Sequence, residues 1–138
     1  MFLDKMEKMI TSGKRKRAVA RAVFIDGKGD ISINKKNYKT LHMLDRLKIE
    51  EPLRIAENVL GKINYDVSIE VKGGGEKSQI EAARLALARG LVEASKSSDL
   101  RKAFVEYDRN LLVADVRRKE AYKPGDSKAR SKRQKSYR

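Results

Sequence analysis

Three consecutive glycines, Gly73-Gly74-Gly75, stand directly before a stretch rich in helix formers. Such an arrangement can turn free backbone amides and a helix dipole toward an anion. No Lys-Ser/Thr pair follows the glycines as in a Walker loop, and the spacing is not G-x-G-x-x-G, so a nucleotide site gains little support. A flexible turn, or amides that face an RNA phosphate, fits the stretch better. His42 is the one histidine, and it stands near a short apolar helix without a constellation of carboxylate and nucleophile around it, as a structural or surface residue would. Glu50-Glu51 precedes Pro52 at an expected helix start, where carboxylates favour the dipole, so capping explains the pair without metal chemistry. The chain has no cysteine, which excludes Cys nucleophiles, disulfides and Cys/His zinc sites. No catalytic residue, metal site or cofactor is expected.

What the chain has in excess is positive charge. Among 138 residues, 33 Lys plus Arg stand against 19 Asp plus Glu, a formal net charge of +14 that points to a polyanionic partner. The excess is concentrated in two places. Lys14, Arg15, Lys16, Arg17 and Arg21 share one short stretch without an acid, and from Asp115 to Arg138 ten cations face only Asp115, Glu120 and Asp126. The final residues SKARSKRQKSYR contain no acid and, apart from Tyr137, no sizeable apolar group. They cannot offset their ordering entropy by burial, so an extended tail that orders on a partner is expected. With 6% aromatics and no Trp, base stacking is thin, and backbone charge should dominate any nucleic-acid contact. No apolar run approaches the roughly 20 residues that span a bilayer, and the start MFLDKMEKMI lacks a signal-peptide core, so a soluble cytoplasmic chain is expected.

These side chains must be positioned by a body of single-domain size. Ala18 to Ile25 reads as a strand, Asp26-Gly27-Lys28-Gly29 as turn chemistry, and Ile31 and Ile33 as a second strand, together a hairpin. Val19, Val23 and Ile25 would then share a face with Arg17 and Arg21, burying the far half while the cationic end meets phosphate. Thr40 is placed to cap a short helix with Leu41, Leu44 and Leu47, and Pro52 to open a second with Leu53, Ala56, Val59 and Leu60 that ends at Gly61. Tyr65 to Lys72 alternates without error and predicts a strand. EKSQIEAARLALARGLVEAS predicts a helix through Ile80, Ala83, Leu87, Leu91 and Ala94, with Lys77 and Arg84 on another face toward solvent. Ser98 or Asp99 would cap a last helix to Tyr107 with Leu100, Ala103, Phe104 and Tyr107 buried, and LLVAD would run extended into the tail. The fold class is α+β, a small sheet packed by helices of split βαβ type. The expected division is 1–13 as an N-terminal extension, 14–114 as the RNA-binding body and 115–138 as the basic tail.

Four stretches in this order, GKRKRAVARA, VKGGGEKSQIEAARLALARGL, DRNLLVADVRRKE and ARSKRQKSYR, resemble the ninth small-subunit ribosomal protein family, and the QKSYR ending is similar to its archaeal and eukaryotic branch. The resemblance covers Gly13 to Arg138. It implies a fold like the second domain of the fifth small-subunit ribosomal protein, with an unusual left-handed βαβ crossover where most are right-handed. It also implies a structural role on ribosomal RNA in the small-subunit head, beside other head proteins, with no enzyme activity. On the residues of this chain, RNA contact would fall to Lys14, Arg15, Lys16, Arg17, Arg21, Gly73, Gly74, Gly75, Arg117, Arg118, Lys119, Lys128, Arg130, Lys132 and Arg133. Contact with P-site transfer RNA would fall to Lys135, Ser136, Tyr137 and Arg138. A guanidinium forks across phosphate oxygens without reading bases, so Arg138 can hold any transfer RNA. Two other readings stay open, a free RNA-processing protein or ribonuclease cofactor of related fold, and a generic nucleic-acid-coating protein, which specificity ratios would separate.

Overall fold

The computed structural model describes residues 8–122 together with Pro124 and Ala129. Its elements are β1 (Met9–Arg15), β2 (Ala18–Asp26), β3 (Ile31–Ile33), β4 (Lys36–Asn37), a 3-10 turn at Tyr38–Thr40, α1 (Met43–Leu60), β5 (Tyr65–Lys72), α2 (Glu76–Ser95), α3 (Ser98–Tyr107) and a 3-10 turn at Arg109–Leu111. The five strands form one mixed sheet in the order β1-β2-β5-β3-β4. The result is an α+β body in which three helices pack on that sheet.

The hairpin expected between Ala18–Ile25 and Ile31–Ile33 does not form, although both strands exist. β5 enters between them, antiparallel to β2 and parallel to β3. The reason lies in Asp66 at the start of β5, whose Oδ1 accepts the backbone N–H groups of Lys28, Gly29 and Asp30 at 3.0, 3.1 and 3.1 Å. The glycine-rich loop is thus folded over the end of β5 instead of closing a two-stranded turn. Gly27 sits so close to this carboxylate that a Cβ there would lie 2.1 Å from Asp66 Oδ2. β2 takes its hairpin partner from the other side: β1 runs antiparallel to it from Met9↔Phe24 to Arg15↔Ala18, across the two-residue turn Lys16-Arg17. β3 and β5 are the parallel pair, and the β3–α1–β5 crossover joins them.

In β2 the core face is also the opposite of the one expected. Ala18, Ala20, Ala22 and Phe24 are buried, whereas Val19 and Arg21 are exposed and Val23 and Ile25 half-buried on the open face of the sheet. Small side chains face inward because α2 lies very close. Gly13 of β1 and Gly90 of α2 have no room for a methyl group, and Ala82, Ala83 and Ala86 line the helix side of the same contact. Thr11 is buried there and donates its hydroxyl to the Ala86 carbonyl at 2.9 Å.

The two helices expected around Pro52 are one, α1, with the proline inside it. Ile49, Pro52, Leu53 and Ala56 form one buried stripe that runs straight through the ring, and this packing outweighs the loss of a helical hydrogen bond at proline. His42, not Thr40, is the N-cap residue, and the Thr40 hydroxyl donates to the Asn37 carbonyl. Glu50 and Glu51 are consequently mid-helical and cap nothing. Glu50 pairs with Arg46 and Arg54 one turn to either side, and Glu51 reaches Arg84 on α2. Leu44 and Leu47 of the expected short helix lie exposed on α1.

The alternating segment is a strand as expected, with Val67, Ile69 and Val71 buried, and the alanine-rich segment is α2. Gly61 ends α1 at φ +84. Arg84 departs from its expected solvent face: its side chain is buried to 16% exposure between Glu51 and Asp108. Ser97, one residue ahead of the expected caps, accepts the Leu100 N–H, and Tyr107 is exposed while Leu100 and Phe104 are buried. The stretch 111–115, expected to run extended, is entered instead from the 3-10 turn Arg109–Leu111, which Asp108 caps through the Asn110 N–H.

Candidate nucleic-acid interface

Strand directions decide which charges meet. The β1–β2 turn, the C-terminal end of β5 and the β3–β4 turn all fall at one end of the sheet, since Val19 pairs with Lys72 and Ile33 with Ile69. The glycines follow Lys72 and lead into the N-terminus of α2 at the same end. Lys16 and Arg17 occupy the first turn, Asn34 and Lys35 the other with Lys36 directly after it, and the side chains of Lys16, Arg17, Lys35 and Lys36 are exposed. Lys14 and Lys72, both opposite Val19 on its two flanking strands, add their charges on the open face.

The backbone of these turns is unusual in a way that fits presentation of side chains. Lys16 has φ +54, and Asn34 and Lys35 have φ +49 and +68, conformations that side-chain-bearing residues adopt uncommonly. Asn34 is anchored by its own hydrogen bonds, accepting the Val71 N–H at its side chain and donating its backbone N–H to Ile69.

The three glycines have a definite geometric task. Gly73 and Gly74 have φ +80 and +65, and they pass against the β1–β2 turn so tightly that a Cβ on Gly73 would lie 2.6 Å from the Arg17 carbonyl oxygen. Gln79 Nε2 donates to the Gly73 carbonyl at 3.1 Å and holds the loop on the helix. Gly75 is the N-cap residue of α2 and provides no side chain to cap the first amides. The N-terminal basic cluster and the glycine loop, far apart in sequence, are therefore in contact, beside a positive helix dipole end.

Arg15 and Arg117 lie next to this end but are engaged within the body. Arg15 Nε donates to Glu81 Oε2 at 2.6 Å and its Nη1 lies 3.0 Å from Asp115 Oδ2, with the side chain 14% exposed. Asp115 accepts from Arg117 through both the backbone N–H and the guanidinium. The hydrogen bonds from Arg117 hold the Asp115 carboxyl well below the usual carboxylate range, and the same pairing raises the Arg117 guanidinium further. Asp115 thus joins the start of the C-terminal segment to the end of β1. Arg118 folds onto the carbonyls of Asp115 and Arg117, and Lys119 lies over the Tyr122 ring at 4.5 Å.

Arg21 stands apart, exposed on the open face between Ser12 and Glu70. Lys128, Arg130, Lys132, Arg133 and Lys135 to Arg138 lie outside the described residues. Lys35, Lys36 and Lys72 were not singled out in the sequence, since only the strand order reveals that they share an end with Lys16 and Arg17. The opposite end carries Asp26, Asp30 and Asp66 together with the exposed Lys28. Among the described residues no group of acidic and histidine side chains is arranged to hold a metal ion, and no helix is long and apolar enough to cross a membrane.

Comparison with known proteins covers the chain almost completely. Residues 13–138 match the family described as Ribosomal protein S9/S16. The small ribosomal subunit protein uS9 of Methanococcus vannielii is 44% identical over 136 residues, which cover 96% of this chain and 100% of that protein. The protein of the same name from Thermoplasma volcanium is 48% identical over 135 residues, 96% of this chain and 100% of its own. That of Halobacterium salinarum is 48% identical over 129 residues, 93% and 97% respectively.

Proposed function

The chain belongs to the Ribosomal protein S9/S16 family, as a protein of the small ribosomal subunit, and from that premise we propose that it binds ribosomal RNA in the subunit head and reaches P-site transfer RNA with its C-terminal residues. Its role there is structural. The observation that carries the reading is the gathering of the Lys16-Arg17 turn, Lys35 and Lys36 at the β3–β4 turn, Lys72 and the glycine loop at one end of the sheet, with Asp115 tying the C-terminal segment to the same end. An array of cations on tight turns, beside a glycine loop that opens a helix, suits a phosphate backbone, which attracts charge without demanding base recognition.

The tail adds reach. Lys135, Ser136, Tyr137 and Arg138 follow a stretch with about one cation per two residues, a composition that can enter RNA crevices closed to a globular body. The guanidinium of Arg138 would grip phosphate oxygens, and Tyr137 would stack on a base.

The test uses small subunits assembled with the full chain or with a chain that lacks Lys135–Arg138. Both chains are expected to remain with the subunit through a high-salt gradient, and transfer RNA is expected to leave the P site faster from the truncated form. Equal release rates would overturn the tail assignment. Loss of the full chain into the top fractions would overturn the RNA assignment and favour a processing or coating role.

A further inference from the structure

We propose that the RNA this body grips is double-stranded, held across one groove by Lys16 and Arg17 on one RNA strand and by Lys35 and Lys36 on the other. The inference rests on the RNA reading above and names the form of RNA that it takes. The cations stand at the tips of two separate hairpins, β1–β2 and β3–β4. Each tip is a two-residue turn, Lys16-Arg17 between Arg15 and Ala18 and Asn34-Lys35 between Ile33 and Lys36. In the order β1-β2-β5-β3-β4 the first tip lies between the first and second strands, and the other between the fourth and fifth. Three strand spacings of about 4.8 Å therefore separate the tips, about 14 Å in all.

That spacing is fixed, because both tips are fastened to the strand between them. The Asn34 side chain accepts the Val71 N–H at 2.9 Å and its backbone N–H donates to the Ile69 carbonyl at 2.8 Å, which holds the β3–β4 tip on β5. The β1–β2 tip abuts the loop that leaves β5. A Cβ on Gly73 would meet the Arg17 carbonyl oxygen at 2.6 Å, and one on Gly74 would meet the Ala18 amide nitrogen at 3.0 Å. Lys72, the last residue of β5, adds an exposed cation between the tips.

Cations held at a preset distance favour a partner whose phosphates are also held at a preset distance, since neither side then loses freedom on binding. Base pairing imposes that distance in a duplex, whereas a single strand is free to bend its phosphates toward any charge it meets. About 14 Å is on the scale of a wide groove, about 12 Å in B-form DNA, and an A-form RNA helix presents a wide, shallow minor groove. Binding of single strands relies on bases stacked on aromatic rings, and residues 14–17, 34–36 and 72–75 at this end include no aromatic residue.

The test titrates the full chain against an RNA duplex of about 16 base pairs, and against each of its strands alone, by fluorescence anisotropy at one salt concentration. Two paired variants, Lys16→Ala with Arg17→Ala and Lys35→Ala with Lys36→Ala, are titrated alongside, so the charges of the tail are common to every comparison. The unaltered chain is expected to prefer the duplex. Removing either tip should weaken duplex binding about tenfold but single-strand binding by less than about threefold, because a flexible strand shifts to the cations that remain. Asn34→Gly keeps the net charge and suits the positive φ, but releases Val71; it should weaken duplex binding several-fold and leave single-strand binding unchanged. Equal affinity for duplex and single strands, with equal losses on both when a tip is removed, overturns the duplex assignment and leaves the RNA reading intact. Absence of saturable binding to either probe overturns the RNA reading and this inference with it.

Discussion

Substituting Gly13 by alanine tests the contact on which the whole body is built, the close approach of β1 to α2. The new Cβ would lie 2.3 Å from the Ala82 carbonyl oxygen and 2.6 Å from the Ala86 amide nitrogen. Carbon and oxygen atoms in contact normally stay about 3.3 Å or more apart, so strand and helix must separate by roughly 1 Å. Neither obstacle is a movable side chain; both are backbone atoms of a hydrogen-bonded helix. Overpacking of this kind costs about 3 kcal/mol at the upper end of its usual range. The Thr11 hydroxyl bond to Ala86 spans the same gap at 2.9 Å, and its loss adds about 1 kcal/mol. The reduced freedom of the unfolded chain returns about 0.5–1 kcal/mol. The net loss is about 3 kcal/mol, which for a body of this size corresponds to a melting temperature lower by about 12 °C. Gly75→Ala is the control, because nothing lies within 4 Å of its Cβ and its φ of −94 suits any residue. Thermal unfolding followed by circular dichroism reads both variants. Equal melting temperatures for Gly13→Ala and Gly75→Ala would refute the close approach and the small-residue logic of the core with it.

Three further outcomes follow from particular residues. Asp66 and Asp115 both have carboxyl pKa values lowered in the fold, Asp66 chiefly by the Asp30 amide and Asp115 chiefly by Arg117. Their contribution to stability is therefore complete above the unfolded carboxylate value of about 3.9 and is lost as pH falls through the lowered folded values. Asp66→Ala should flatten the acid side of the melting-temperature profile between pH 2 and 6 and speed amide exchange at Lys28, Gly29 and Asp30; an unchanged profile counts against the carboxylate cradle. Phe104→Ala, at a fully buried ring that holds α3, should lower stability by about 3–5 kcal/mol in urea titration, and a loss under 1 kcal/mol would remove α3 from the core. Replacing Lys16 or Arg17 by alanine should reduce the slope of log affinity against log salt for head RNA by about 1 each, whereas Lys28→Ala at the opposite end should not alter it.

What was legible in the sequence was whatever a local period could express. β5 announces itself by strict alternation and α2 by helix formers at helical spacing, and both end within the expected residues. The β1–β2 hairpin carries no such signal, because its turn is Lys16-Arg17 with Lys16 at positive φ, where no glycine or asparagine marks it. Conversely, Asp26-Gly27-Lys28-Gly29 looks like a hairpin turn, and only Asp66, remote in sequence, redirects it. Alanines on the core face of β2 are equally silent, since their meaning depends on the distance to α2. Pro52 hid the continuity of α1 because tertiary packing overrode a strong local preference. In the interface, Lys14 to Arg17 and the glycines were each visible, whereas their contact, and the addition of Lys35, Lys36 and Lys72, required the strand order.

That strand order also bears on the proposed RNA contact, because it ties the root of the C-terminal segment to the basic end of the sheet. β1 ends at Arg15, and the same residue meets Asp115, so the root of the C-terminal segment is fixed to the strand that leads into the basic Lys16-Arg17 turn. Arg89 reinforces the joint, donating to the carbonyls of Leu112 at 2.9 Å and Ser12 at 3.2 Å and so binding the root and β1 to α2 together. A phosphate-facing end and a tail origin that shared no structural element could drift relative to one another. Here both are joined to β1 and α2, whose separation is set by Gly13. Under the proposed function, the small residues of the sheet–helix contact serve the placement of the basic end as well as stability.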